Sequence, residues 1–372
     1  MRTVRRMLYR DIASSVSFVA LAFLSLTFFI DFVDELQKVG RSGYSLWTAI
    51  VGSLMELPGN LYELLPIAVL IGTIYSMARL AQSSEFTILR TGGLSPLRAL
   101  RLLALLALLF SALTFALGDY VVPFTERQNA LLKATLAGGR KLGATGAWLK
   151  DRQVTEQGER NYAVNVSGID GRATLVGVRI FEFDAEGRHL SRIVAGEARV
   201  GADGVWTLSD AELTRWPAGS ADAASADQVQ HQTLPTLRWP STLSAGVVSA
   251  AVLPLKTMST VELWRYSQHL SDQEQAAQRY QIQFWKKALY PLACLVLTAL
   301  ALPFAYLHAR AGGISIKVFG GIMLGICFVL LNNVAGHIGL LNGWTPWLVA
   351  AAPSAVFMLL SLAAFGWLVR YR

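Results

Sequence analysis

Charge is the scarcest resource in this sequence: only 16% of its 372 residues are Asp, Glu, Lys or Arg, where about a quarter is usual for soluble domains. With hydrophobic residues at 53%, an ordinary soluble protein is excluded and a bilayer becomes the natural solvent. Cysteine is nearly absent. Cys294 and Cys327 both fall inside apolar segments, which argues against a disulfide framework or a Cys-based metal site and for buried thiols acting as small hydrophobes. The five histidines, His189, His231, His269, His308 and His337, lack zinc-type spacing. No Gly-Lys dipeptide occurs, so no glycine-rich loop can cradle nucleotide phosphates, and no Gly-x-Ser-x-Gly elbow presents a nucleophile. Catalysis by this chain alone is therefore not expected, and no cofactor is implied. Any transport work must draw on an ion gradient or a separate ATPase.

What the sequence has in abundance is apolar windows long enough to cross lipid: Ile12 to Val33, Leu61 to Ala81, Leu102 to Tyr120, Ala288 to Leu307, Val318 to Leu341 and Trp347 to Val369. Each must be helical, because lipid offers no partner for free backbone groups. Arg2, Arg5, Arg6 and Arg10 precede the first window in the manner of a secretory signal, but no small-residue cleavage site follows it, which reads as an uncleaved first helix. Basic residues collect on one side of the windows: these four, then Arg79, Arg90, Arg98 and Arg101, then Arg310 and Lys317, then Arg370 and Arg372. The opposite connections hold Lys38 and Arg41, offset by Asp34, Glu35 and Glu56, and no charge between Leu341 and Trp347. This asymmetry places both termini in the cytoplasm and the middle of the chain outside. The net charge of +8 is spent on these flanks, so no nucleic-acid partner is implied. Tyr44 to Pro58 reads as an interfacial helix or as an extension of the second helix, and Pro66 as a kink.

The expected fold class is a membrane α-helical bundle of six transmembrane helices with an inserted all-β, jelly-roll-like periplasmic domain. The divisions are 1–123 for helices one to three, 124–280 for the β-domain and a linking helix, and 281–372 for helices four to six. Short alternating runs carry the β reading: Ala147 to Gln153, Asn161 to Gly168, Thr174 to Phe183, Leu190 to Val200, Val205 to Trp216 and Gln232 to Leu243. Val164, Val166, Val178, Ile180 and Val194 are the expected interior, and Ala218 to Gln230 reads as a hairpin tip. From Ser259 the pattern turns helical toward Phe284 and Trp285.

Ionisable residues within or near the spans are functional candidates: Asp31, Glu63 and Asp119, with Asn332, Asn333 and His337 in the fifth. They read either as satisfied bundle polars or as a proton relay or polar lining. The second cytoplasmic connection, near 82–93, is more informative. Ser83 or Ser84 can cap a short helix, Phe86, Ile88 and Leu89 give it apolar positions, and Gly92 and Gly93 end it before Pro96. It suits a partner or a lipid surface.

Phe32-Val33-Asp34-Glu35-Leu36, Leu80-Ala81-Gln82-Ser83-Ser84-Glu85, Gly92-Gly93, Gly118-Asp119-Tyr120-Val121-Val122-Pro123 and Arg310-Ala311-Gly312-Gly313 resemble the lipopolysaccharide export permeases of the LptF/LptG family over essentially the whole chain. Phe-Val-Asp-Glu-Leu is closer to the LptG branch. The resemblance implies a half-transporter in the bacterial inner membrane that pairs with a paralogous permease, LptF, above two copies of the ATPase LptB. Its cargo would be lipopolysaccharide, taken laterally from the outer leaflet and passed through a periplasmic jelly roll to the other components of a β-strand bridge. It further implies a coupling helix bearing Glu85, Phe86, Ile88, Leu89, Arg90 and Gly92. Phosphate contacts would fall to Lys38, Arg41, Arg127 and Lys133, and acyl contacts to Phe28, Phe29, Phe32, Phe319, Ile322 and Phe328. Asp31 departs from the pattern, standing where relatives in the LptG branch often carry lysine. An ion-coupled secondary transporter and a periplasm-facing membrane scaffold are the alternative classes.

Overall fold

A computed structural model describes residues 2–40, 44–93, 95–136, 146–155, 158–169, 174–201, 204–216, 229–243, 247–248, 255–272, 277–306 and 313–370. The chain divides into two compact units. One comprises Met1–Gln37, Ser53–Thr125 and Gln278–Arg372, and the other Lys38–Gly52 and Glu126–Ala277.

The first unit is helical. α1 runs Arg2–Leu36, α2 Leu46–Gln82, α3 Glu85–Thr91 and α4 Pro96–Ala116; a π-helical segment, Leu117–Val121, joins α4 to α5, Val122–Leu136. Of the two readings of Tyr44 to Pro58, the helical extension is the observed one, and α2 runs unbroken through Pro58 and Pro66. Among the described residues five helices are long and apolar enough to cross a membrane, and the count reaches six if a bent pair is taken as one span. That pair is α7, Gln278–Leu289, and α8, Leu292–Tyr306, which meet at 49°. The window expected at Ala288 to Leu307 is thus the second half of a broken span. α9, Ile314–Leu341, and α10, Pro346–Arg370, complete the unit.

α2 is apolar all round, the mark of a helix enclosed by others: 78% of its apolar window is buried, against 11% to 28% for the other single spans. Lipid tails are as apolar as leucine, so helices in a bilayer associate through close packing, which small residues permit. A Cβ on Gly72 of α2 would lie 2.6 Å from the Val16 backbone nitrogen of α1, and Cβ atoms on Gly321 and Gly325 of α9 would each lie 2.7 Å from Ile74 and Ile67 of α2. Glycine thus sits where backbones nearly touch. Phe328, an expected acyl contact, is core: it is buried edge-on against Phe357 at 5.3 Å. Of the two cysteines only Cys294 is buried, 3.3 Å from Thr114 Oγ1, while Cys327 is exposed on α9, the outward side of its span.

The π segment falls on the Gly118-Asp119-Tyr120 run. Pro123 has no N–H to offer and its ring crowds the preceding turn; the Val122 N–H instead reaches back to the Leu117 carbonyl, five residues away, and the widened turn relieves the crowding.

The second unit holds six strands: β1 Ala147–Thr155, β2 Gly158–Ile169, β3 Leu175–Phe183, β4 His189–Val200, β5 Val205–Arg215 and β6 Gln230–Pro240. All six alternating runs are strands, with ends that differ from the pattern by up to three residues. They form one antiparallel sheet in sequence order, a meander, which curls until its last strand meets its first. The carboxylate of buried Asp151 on β1 accepts from Ser241 Oγ at 2.7 Å, from the Thr242 N–H at 3.2 Å and from the Thr242 hydroxyl, and Gln153 Nε2 donates to the Pro240 carbonyl at 3.1 Å. Inside the curl lie Val164, Val166, Val178 and Ile180 as expected, with Trp206 edge-on to Trp239 at 5.4 Å. Val194 is not among them. It pairs with Arg179, and strand alternation sends it to the other face, leaving Ile193 and Ala195 inside. The expected hairpin tip lies almost wholly in 217–228, outside the described residues. A short 3-10 turn, Leu255–Thr257, and α6, Thr260–Asp272, follow the sheet.

Gly72→Ala is expected to destabilise the helical unit by about 1–3 kcal/mol, because the new methyl meets backbone that cannot yield. Gly320→Ala, whose Cβ would find only the Phe304 ring at 3.9 Å, should be near neutral. Thermal unfolding of the two variants in detergent checks the contrast.

Candidate functional site

Seven residues make a poor helix on their own, so α3 depends on what it rests against. Phe86 is 4% exposed and packs with Leu8 and Ile12 of α1, Leu80 of α2 and Ala99 and Leu103 of α4, while Leu89, one turn on, packs against the same cluster. The opposite face carries exposed Glu85 and Ile88, the latter 67% exposed. The apolar positions that sequence reading pooled are thus divided. Phe86 and Leu89 are spent inward, and Ile88 is free beside Glu85. Ser83 Oγ donates to the Leu80 carbonyl and so closes α2, not α3. Ser84 makes the turn at φ 62°. At the far end the Gly92 N–H reaches the Ile88 carbonyl at 2.9 Å and Gly93 takes φ 100°, a left-handed stop that glycine adopts without strain. The Arg98 guanidinium then donates to the Gly93 carbonyl at 3.1 Å. The side chain of Arg90 lies outside the described residues.

Beside this helix stands an ion pair that sequence reading missed. Arg79, counted there as a flank charge, donates to both oxygens of Asp11 at 2.6 and 2.7 Å, tying α2 to α1. An acid set directly after Arg10 within an otherwise basic segment was the available signal. Lys317, another flank charge, is buried in the first turn of α9. Lys286 of α7 was also missed: its ammonium donates to the Asn332 carbonyl at 2.8 Å, and it occupies the space that the missing side chain of Gly336 leaves. His337, offered as a relay member, is exposed on α9. Tyr290 donates its hydroxyl to the backbone carbonyl of Glu63 at 2.5 Å.

Of the expected acyl contacts, Phe28 and Phe32 are half-buried and stack with centroids 6.0 Å apart; Phe29 and Phe319 are exposed, and Ile322 is half-buried. Asp31, the residue out of pattern, accepts from Asn60 Nδ2 of α2 at 2.6 Å, so its charge is held by a neighbour. Lys38 is exposed in the turn after α1, Lys133 is half-buried on α5, and Arg41 lies outside the described residues.

Arg127 is engaged within the second unit. Its guanidinium pairs with Glu262 at the start of α6 and donates through Nε to the Thr257 carbonyl at 3.1 Å. Glu262 also accepts from the Ser259 N–H at 2.8 Å and hydroxyl at 3.0 Å, and the Ser259 hydroxyl accepts in return from the Glu262 N–H at 3.3 Å, a reciprocal cap. Burial works against the Glu262 charge, yet the bonds from Ser259 and Arg127 outweigh it and hold the carboxyl below the ordinary glutamate range.

A set of apolar spans interrupted by one curled antiparallel sheet, with a short helix between the second and third spans, defines a polytopic membrane protein with an inserted β-domain. The family model described as "Lipopolysaccharide export system permease LptF/LptG" matches residues 6–368, and the chain belongs to that family. It is similar to the lipopolysaccharide export system permease protein LptG of Escherichia coli (strain K12), 27% identical over 360 residues that cover 96% of both chains. The LptG of Haemophilus influenzae is 24% identical over 362 residues, again 96% of both. Family and apolar helices together make this an inner-membrane permease of lipopolysaccharide export.

The Arg127–Glu262 latch has a testable pH signature. A carboxyl whose folded pKa lies below its unfolded value of about 4.3 stabilises above that value and loses the contribution as pH falls through the folded pKa. The Tm difference between wild type and Glu262→Gln should therefore be full above about pH 5 and close as the pH is taken down below the unfolded value and through the lowered folded one. A difference that persists unchanged at the acid end rules out the charge as its source.

Proposed function

We propose that this chain is the LptG-type membrane half of an ATP-driven lipopolysaccharide exporter. It pairs with a paralogous LptF-type permease and carries no catalysis of its own; ATP hydrolysis lies on a separate ATPase of the LptB type, present in two copies. Both termini and α3 face the cytoplasm, as the distribution of Arg and Lys in the short flanks argues. The cargo is drawn laterally from the outer leaflet and handed through the periplasmic β-domain to the other jelly-roll components of the bridge.

The observation that carries this reading is the division of α3. A helix whose inward residues are fixed in a cluster shared by α1, α2 and α4, and whose outward pair is one carboxylate and one aliphatic side chain, is built to seat in a groove and to pass force inward. Glu85 offers a charge to a basic partner group, and Ile88 offers apolar area to bury beside it. For the cargo, Lys38, Arg41 and Lys133 supply cations toward lipid A phosphates, with Arg127 divided between that role and its latch to Glu262. Phe28, Phe32, Phe319 and Ile322 supply apolar surface toward acyl chains.

Glu85→Ala and Ile88→Ala are each expected to weaken recovery of the ATPase by about tenfold, the effect of roughly 1.4 kcal/mol at a docking anchor, and to impair export while the protein still folds. Phe86→Ala should instead lower stability by about 3–5 kcal/mol through the cavity it opens. Affinity purification of the tagged chain in mild detergent, with identification of co-purifying proteins and lipid, reads the first effect, and thermal unfolding in the same detergent reads the second. Recovery of wild type without any ATPase, even after crosslinking, overturns the proposal.

A further inference from the structure

The face of the sheet turned away from its core is not a plain solvated surface. Strand register places Trp148, Lys150 and Arg152 of β1, Asn161 and Ala163 of β2, Arg179, Phe181 and Phe183 of β3 and Arg192 of β4 on it together. Its aromatic rings form a continuous row. Trp148, 57% exposed, stacks on Phe181 at 5.9 Å and 23°; Phe181 and Phe183 lie 5.9 and 5.2 Å from His189, which lies 4.2 Å from Trp216. The Arg192 guanidinium sits over the Phe181 ring at 5.8 Å. Beside the row, Lys150, Arg152, Asn161 and Phe183, together with Tyr162 and Asp151, line a cleft of about 300 Å³, at the small end of ligand sites; the Asp151 carboxylate is already engaged by Ser241 and Thr242. Arg152 is paired with Glu159 across the hairpin. Among the described residues Lys150, Arg179 and Arg192 have no carboxylate partner, and Glu212, opposite Val194 on the same face, lies one strand further along.

Rings with an exposed face attract the weakly positive C–H faces of sugar rings through their quadrupole. Ammonium and guanidinium groups bind phosphate and carboxylate by charge-assisted hydrogen bonds, and an amide can serve a hydroxyl. An acyl chain would want the rings without the cations, and a bare anion the cations without the rings.

We infer that this outer face, from the Lys150–Asn161 cleft along the Trp148–Phe181 row, is a binding site for an anionic saccharide, a sugar carrying phosphate or carboxylate groups. The identity of that saccharide as the sugar portion of the cargo rests on the exporter reading, whereas the site itself does not. Acyl chains would then occupy a different surface from the sugars, and the sheet would hold the cargo's headgroup from outside.

The test is titration of the full-length protein in detergent with the deacylated, phosphorylated oligosaccharide of lipopolysaccharide, followed by calorimetry. The same oligosaccharide after dephosphorylation, inorganic phosphate and an acidic glutamate-rich peptide are titrated in parallel. Saturable binding that weakens about tenfold in both Trp148→Ala and Lys150→Ala, with Val229→Ala, a change at an exposed side chain ahead of β6, leaving it unchanged, supports the site. Both replaced side chains are exposed, and unchanged thermal unfolding confirms that the variants fold. Binding indifferent to Trp148→Ala, equal affinity for inorganic phosphate, or tighter binding of the acidic peptide overturns it, the last in favour of a protein partner. Since ATPase co-purification is measured separately, loss of that partner with oligosaccharide binding intact would sink the exporter reading alone, and the reverse would sink this site alone.

Discussion

Everything in the helical unit depends on how closely backbones approach α2. Within lipid, moving a leucine from tails to a helix neighbour gains almost no hydrophobic free energy, so dispersion and tight fit must hold the helices together. Gly72 lets the α1 backbone reach α2, and Gly321 and Gly325 let Ile74 and Ile67 press into α9. The consequence is directional. A helix gripped on several sides at once cannot shift without moving its neighbours, so displacement at the Phe86 cluster is felt by α1, α2 and α4 together.

The β-domain answers a different constraint. A meander has two edges and a half-buried face, both liabilities in water. Here Asp151 gathers the chain after β6 onto β1, and the curl closes the apolar face around Trp206, whose indole N–H donates to the Leu243 carbonyl at 3.1 Å. A buried carboxylate with this many donors is costly to disturb, because losing them strands a charge. Curling also separates the two faces of the sheet, so that Lys150, Arg179, Arg192 and the Trp148–Phe181 row share the outer one while Trp206, Trp239 and the aliphatic core fill the inner one.

How much of this was legible in the sequence follows from which signals are local. Strand alternation and apolar windows are local, and every strand appears where its pattern lies. The Val194 error shows the limit: a one-residue difference in register inverts a face, and the irregularity that sets it, at Glu182/Phe183, has no signature in composition. The broken span failed to show because the polar residues of α7, among them Lys286, fall below any hydropathy threshold. Its lysine is accommodated by an acceptor on α9, a tertiary fact. In the same way, Arg127 was expected as a phosphate contact with no sign of its latch, because Glu262 is 135 positions away in the chain. The motif around Glu85 was legible as a helix, but which of its apolar residues point inward was not.

That division bears on how a seven-residue helix can transmit work. Such a segment has too few internal hydrogen bonds to be stable alone, so its order is borrowed from the cluster that Phe86 and Leu89 enter. Order borrowed in this way is shared: whatever grips Glu85 and Ile88 from outside also fixes the depth of Phe86 among Leu8, Leu80 and Leu103. A longer, self-sufficient helix would rotate or slide as an independent rod and dissipate a push along its own axis. A short one bounded by Ser84 and Gly93 leans on its inward anchors, and the Asp11–Arg79 pair joins α1 to α2. Under the docking proposed above, the brevity of α3 is what would make it a lever on the spans.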